Sequence, residues 1–178
     1  MKVYRSLSEF SPLKNAVVTQ GTFDGVHLGH QKILKNLRAL ADQKNGETVL
    51  ITFFPHPRLV IQPDDQSLKL LQTPDEKISV LSKSGIDHLL IVPFTEEFSN
   101  YSALQFVREI LVEKIGVKTL VVGYDHRFGK NREGSIETLK ELAPTFEFEV
   151  HEIPAHDINE VAVSSTKIRN ALNSGKIK

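Results

Sequence analysis

The stretch Gly21-Thr-Phe-Asp-Gly25-Val-His27-Leu-Gly29-His30 constrains this chain more than any other. Ahead of it, Ala16-Val-Val-Thr-Gln20 is a short apolar, β-branched run that reads as a buried strand. Behind it, Ile33, Leu34, Leu37, Leu40 and Ala41 recur at helical spacing, with Lys32, Lys35, Arg38 and Lys44 on the other face. Gly21, Gly25 and Gly29 therefore belong to a strand-to-helix turn, where a missing Cβ lets backbone approach a ligand and positive φ costs little. The unpaired N–H groups at the helix start favour an anion. His27 and His30 stand at the same helix mouth, so the pattern describes a phosphate site with two added donors. A tight connection with a histidine cap is the scaffolding alternative, and a His-x-x-His pair also suits a metal. Zinc takes four ligands, however, and the chain has no cysteine and no His-Glu-x-x-His. Phosphate fits the pattern better.

The remainder of the chain sets bounds on that reading. Its 178 residues suffice for one domain with a full core, and 40% hydrophobic content is that of an ordinary globular protein. A formal net charge of +0 gives no general electrostatic reason to expect nucleic acid or a membrane as partner. Without cysteine there is neither a disulfide framework nor thiol catalysis. The first residues lack an apolar signal core and no apolar run has spanning length, so the expected location is the cytoplasm.

Taken in order, residues 1–15 read as a polar surface lead-in. The first strand and helix follow, the helix stopping near Asn45-Gly46. Thr48–Phe54 reads as a second buried strand, ending in Pro55-His56-Pro57-Arg58, where two prolines argue for a stiff loop rather than helix. Thr73, Pro74 and Glu76 form a strong helix start, with the helix expected to run to Lys83. His88–Pro93 is the third strand. Ser102 and Gln105 open a helix with Leu104, Val107, Ile110 and Leu111 expected inward and a stop at Gly116. Thr119–Gly123 is the fourth strand, leading into a second polar, glycine-containing loop to Gly134. A helix at 135–142 precedes Pro144, and Phe146–Ile153 alternates as a fifth strand. A short Ser/Thr-capped helix closes the pattern before Gly175.

Five strands alternating with helices predict an α/β fold, a Rossmann-like open parallel sheet of order 3-2-1-4-5 with helices on both faces. Ligands in such sheets bind beyond the carboxyl ends of the strands, where strand order reverses. That position lies between strands one and four, so the 21–30 and 123–134 loops should face one crevice, with the Ser164-Ser165-Thr166 helix start nearby. Gly123 to Lys130 is not a P-loop, because five residues rather than four separate Gly123 from Gly129, and Asn131 replaces the hydroxyl that would hold magnesium. Nor do Gly21, Gly25 and Gly29 have the dinucleotide G-x-G-x-x-G spacing.

The His-x-Gly-His element resembles the signature of the nucleotidyltransferase superfamily. Four segments narrow the resemblance to the adenylyltransferase domain of bacterial FAD synthetase, the bifunctional riboflavin kinase/FMN adenylyltransferase family: GTFDGVHLGHQ at 21–31, PHP at 55–57, VVGYDHRFGKNREG at 121–134 and VSSTKIR at 163–169. They come in the family's order and span nearly the whole chain. Phe54 departs from the pattern, standing where many members carry an acidic residue before Pro-His-Pro. Members usually continue into a riboflavin kinase barrel. The resemblance thus implies that residues 1–178 are the nucleotidyltransferase domain, with a kinase domain expected in cis in the full-length family.

The implied reaction is ATP + FMN → FAD + pyrophosphate, with Mg2+ accompanying ATP. Flavin phosphate is already an anionic nucleophile, so alignment and charge dispersal matter more than a strong base. The resemblance assigns His27, His30 and Arg169 to catalysis. It assigns Gly21, Phe23, Asp24, Gly25, Gly29, Ser165, Thr166 and Arg169 to ATP, with the last three at its β- and γ-phosphates. His56, Asp125, Arg127, Phe128 and Arg132 would position flavin or nucleotide. Each has a plainer reading: a helix cap for the hydroxyls, a surface charge for the arginines, a turn bond for Asp125, a core anchor for Phe128. Adenylation of pantetheine phosphate or nicotinamide mononucleotide would retain both histidines. A non-catalytic flavin or nucleotide sensor is the third reading. An aminoacyl-tRNA synthetase fragment should show a lysine-rich KMSKS-type loop, which is missing.

Overall fold

The computed structural model describes residues 1–64, 67–154 and 163–176. Six strands form one wholly parallel sheet: β1 (Lys2–Tyr4), β2 (Ala16–Gln20), β3 (Glu47–Phe54), β4 (His88–Pro93), β5 (Val117–Gly123) and β6 (Glu149–Ile153), in the spatial order β1-β4-β3-β2-β5-β6. The five expected strands are β2 to β6, and their order is the expected one. The sixth is a correction. Residues 1–15 are not merely a lead-in, because Lys2–Tyr4 pairs with β4 and Phe10 is 1% exposed. Three residues are too few to display a period, and Tyr4 and Phe10 gain their burial from elements distant in sequence.

Strand β2 is buried along its whole length, and its neighbours β3 and β5 over most of theirs, because helices cover both faces. On one face α1 (Leu28–Lys44) sets Leu34, Leu37 and Ala41 against Val17, Leu50 and Val121, joined by Leu81 of α3 (Pro74–Leu81). On the other, Val18, Val49, Ile51 and Leu120 meet Val107, Ile110 and Leu111, together with Ile136 and Leu139 of α6 (Ile136–Phe146). Short helices α2 (Pro57–Ile61) and α4 (Glu96–Ser99) lie between, and α7 (Ser165–Asn173) comes last.

Three local expectations are revised. Pro57 does not forbid a helix but opens α2 at its first position, where no N–H is needed, with His56 as N-cap. Helix α5 (Ala103–Gln105) continues from Phe106 to Ile115 with π-helical hydrogen bonding, which rotates its inward face. Leu104 is consequently 48% exposed, and Phe106 and Ile115 join Val107, Ile110 and Leu111 in the core. Helix α6 runs through Pro144 to Phe146, so β6 begins only at Glu149. The capping boxes at Thr73/Glu76 and Ser102/Gln105 are both formed. Among the described residues no helix is long and apolar enough to cross a membrane.

Candidate active site

Parallel pairing of β2 with β5 brings the loops leaving their carboxyl ends side by side. Gln20, the last residue of β2, joins them: its Nε2 lies 2.8 Å from Nε2 of His126. The first loop continues the sheet for one more residue, Gly21 N–H donating to the Ile51 carbonyl at 3.0 Å, and then turns sharply. Phe23 (φ 46°), Gly25 (φ 83°) and Val26 (φ 37°) all occupy left-handed backbone. For Phe and Val this costs about 1–3 kcal/mol each, and something must hold the loop in place.

Asp24 does so. Its side chain is 2% exposed, and its carboxylate accepts the Leu71 N–H at 3.0 and 3.2 Å and Arg169 Nη2 at 2.5 Å. Arg169 Nε donates to the Lys69 carbonyl at 2.8 Å, and Ser165 Oγ donates to the Asp24 carbonyl at 2.8 Å. The start of α7, the 69–71 segment and the first loop are thus tied at one residue. Gly25 serves the same closure, since a Cβ there would sit 2.6 Å from Leu71 Cδ1. The close approach at this glycine is to Leu71.

His27 is the N-cap of α1, its Nδ1 accepting the His30 N–H at 3.4 Å. In the neutral ring the proton therefore sits on Nε2, leaving a donor at the helix mouth. The His27 and His30 rings stack at 3.7 Å, and Phe23 covers His30 at 4.7 Å. Burial, then the neighbouring His27 and Lys77, push His30 down to about 3, while its Nδ1 is buried without a hydrogen-bond partner. Burial also lowers His27, against the pull of Asp24. At neutral pH both rings are uncharged donors. His56 behaves alike: it caps α2 through Nδ1, which accepts the Arg58 N–H at 3.2 Å, and burial lowers its pKa.

The other expected residues separate into two sets. Gly29 is buried in the first turn of α1, Ser164 supplies the N-cap of α7, and Thr166 is exposed beside it. Arg169 is only 14% exposed and bound to Asp24, so it is neither on a solvated face nor free for a phosphate without changing partners. In the second loop Asp125, Arg127 and Arg132 are exposed. Phe128 is 7% exposed, packed on Phe106 and His126 and paired through its backbone with Gly134; its ring is a core anchor. Phe54, the departure noted above, is 48% exposed.

Two further residues reach these loops. Lys77 of α3 reaches the loop, Nζ donating to the Thr22 carbonyl at 2.7 Å. His126, lowered to about 4 chiefly by burial, braces the second loop against Gln20. Lys77 falls in no recognisable spacing; His126 lies within the 121–134 segment, but its tie to Gln20 appears only in the fold.

The sequence pattern of the FAD synthetase family matches residues 10–167. A bifunctional riboflavin kinase/FMN adenylyltransferase from Buchnera aphidicola subsp. Schizaphis graminum is 40% identical over 180 residues, covering all of this chain and 57% of that protein. Its counterpart from Listeria monocytogenes is 36% identical, covering 92% of this chain and 52% of its own length. The chain thus spans about half the length of these relatives. A solved structure from Streptococcus pneumoniae, described as a macrolide-efflux protein, superposes with a TM-score of 0.84 at 26% identity, over 99% of this chain and 57% of the other.

Proposed function

The chain belongs to the FAD synthetase family, and we propose that its crevice transfers the AMP moiety of ATP to FMN, giving FAD and pyrophosphate. The observation that carries this reading is the convergence of two helix starts on one loop. The α1 start presents His27 and His30, and the α7 start is joined through Ser165 and Arg169 to Asp24 of that loop. Two helix N-termini aimed at one crevice suit a polyphosphate.

In the reaction an FMN phosphate oxygen forms a bond to the α-phosphorus of ATP, and the bond to the oxygen bridging α and β breaks. Negative charge grows on that oxygen as pyrophosphate leaves. The uncharged His27 and His30 rings would donate there, a contact that strengthens as the bond breaks and so lowers the barrier rather than merely binding substrate. Ser165, Thr166 and Arg169 would hold the β- and γ-phosphates, Arg169 exchanging Asp24 for phosphate oxygens. Magnesium enters as part of the MgATP substrate. The Asp24 carboxylate is already engaged by Leu71 and Arg169, and the described residues include no cluster of three ligating side chains, so its ligands would be phosphate oxygens and water. His56 and the exposed Asp125, Arg127 and Arg132 would position flavin or nucleotide. A riboflavin kinase domain in cis is proposed on the strength of the bifunctional relatives.

The test is direct. Purified chain incubated with MgATP and FMN should form FAD and pyrophosphate stoichiometrically, followed by chromatography. Equal or faster adenylation of pantetheine phosphate or nicotinamide mononucleotide would replace the substrate. Nucleotide binding without turnover on any of the three would make the chain a sensor.

A further inference from the structure

We propose that Lys77 is a phosphate-contacting residue of this crevice, held ready against the Thr22 carbonyl until the phosphate chain of a nucleotide arrives. The proposal rests on the reading above only in that it places a polyphosphate in the same crevice.

Lys77 lies in the first half of α3, a helix outside the four segments that carry the family resemblance, yet its Nζ reaches the loop between β2 and α1 at 2.7 Å. There it has no carboxylate partner: Asp24 is committed to Arg169 and the Leu71 N–H, and no described acidic group lies within ion-pairing distance of Nζ. A carbonyl oxygen is a weak partner for a partly buried ammonium, and burial indeed lowers the Lys77 pKa despite the pull of Asp24. An anion would supply the missing counter-charge.

The Thr22 carbonyl also accepts Thr52 Oγ1 at 3.0 Å. If Nζ moves to a phosphate, that carbonyl retains a partner and nothing is orphaned. A lysine needed only to pin the loop would duplicate a bond that Thr52 already makes.

The charge of Lys77 is felt by both His30 and His56, and that of Arg169 by His56, so the two cations share the surroundings of these imidazoles. Arg169 and Lys77 would then grip the phosphate chain from two helices, α7 and α3. The flexible stem of lysine suits a group that must follow phosphate as it shifts from substrate to product.

Two variants and two probes test this. Lys77→Met retains length and removes charge; Lys77→Arg retains charge. Affinities are measured calorimetrically without FMN, with inorganic pyrophosphate and with adenosine, which has no phosphate. Lys77→Met should weaken pyrophosphate binding about 10-fold or more while adenosine changes less than about 2-fold, and Lys77→Arg should recover most of the loss. Unchanged pyrophosphate affinity would overturn the proposal. So would equal losses for both probes, the mark of a loop pin. The wild-type protein gives a check independent of folding: pyrophosphate, and not adenosine, should shield Lys77 from amine acetylation read by mass spectrometry. Lys77-dependent pyrophosphate binding in a protein that makes no FAD would leave this proposal standing and reject the FMN reading.

Discussion

The two ends of the sheet are built from similar parts and do different things. At the amino end of the strands Asp87 accepts Arg38 Nη1 at 2.7 Å, Thr48 N–H at 2.8 Å and Thr48 Oγ1 at 2.9 Å. His88, 4% exposed, has both ring nitrogens paired, with the Tyr4 hydroxyl at 3.1 Å and Glu47 at 2.9 Å. At the carboxyl end Asp24 also takes an arginine and a backbone N–H, and His30 is half-buried. There, however, the His30 Nδ1 has no partner, Lys77 has no carboxylate, and Phe23 and Val26 sit in strained backbone. Buried polar groups are ordinarily satisfied. One unmatched atom is not enough to mark a site, since Arg38 Nε at the amino end is also buried without a partner; what sets the carboxyl end apart is that an unmet histidine nitrogen, a lysine without a carboxylate and strained backbone occur together.

The largest contrast should come from the two aspartates. Asp24→Asn leaves the guanidinium of Arg169 buried without its counter-charge and releases a strained loop. It should cost about 3–5 kcal/mol of stability in denaturant unfolding and most of the FAD synthesis. Asp87→Asn leaves Arg38 with Asp42, 2.7 Å away, and should cost about 1–3 kcal/mol with turnover per folded molecule unchanged. Equal effects on turnover would erase the distinction between the ends.

The histidines come next. His30→Ala should lower turnover on the order of 100-fold while MgATP affinity changes little, because the contact matures only as the leaving oxygen gains charge. His88→Ala should lower stability and leave the kinetics of the folded fraction alone. Equal losses in affinity and turnover for His30→Ala would make it a binding residue.

Much of this contrast was legible in the sequence, and the illegible part has one cause. The strand-to-helix turn, the order of β2 to β6, the capping boxes and the His27/His30 mouth follow from local chemistry: glycine, caps and apolar runs. Asp24 could be seen as part of the turn, but its work depends on Arg169, which is 145 residues away in sequence. Lys77 sits on a helix whose pattern says only which face is wet. Strand β1 is visible only through its pairing with β4. Local rules fail where the partner lies far along the chain.

Acid should separate the ends too. His30 and His126 titrate near 3 and 4 in the folded protein against 6.5 when unfolded. Below pH 6.5 the unfolded chain takes up protons that the folded rings refuse. Their contribution is therefore complete above 6.5 and is lost as pH falls toward 4 and 3, with a slope of about 1.4 kcal/mol per pH unit for each ring. Burial opposes ionisation of Asp87, but bonds from Thr48 and Arg38 outweigh it and hold its pKa below 3.8, so its contribution persists to lower pH. Urea unfolding from pH 7 to 4 should show the histidine slope, and His30→Asn should flatten it. An unaltered slope in that variant would mean that the buried ring is protonated as readily as a free one.

The smallest effect sets two adjacent serines against each other. Ser164 Oγ accepts the Lys167 N–H at 3.2 Å, an ordinary N-cap, whereas Ser165 Oγ donates to the Asp24 carbonyl at 2.8 Å. Each substitution to alanine deletes one hydrogen bond, so each should cost about 1 kcal/mol. The costs should fall in different places. Without its cap α7 frays at its start, and the loss appears in thermal unfolding. Without the Ser165 bond α7 itself is intact, but its start is less firmly joined to the loop that carries His27 and His30. Arg169 retains the main tie, so the loop should loosen rather than open. Ser165→Ala should accordingly raise the KM for MgATP several-fold beyond Ser164→Ala at similar stability. Identical kinetics for the two variants would show that the Ser165 bond is packing and that the Asp24–Arg169 pair alone joins the helix to the loop.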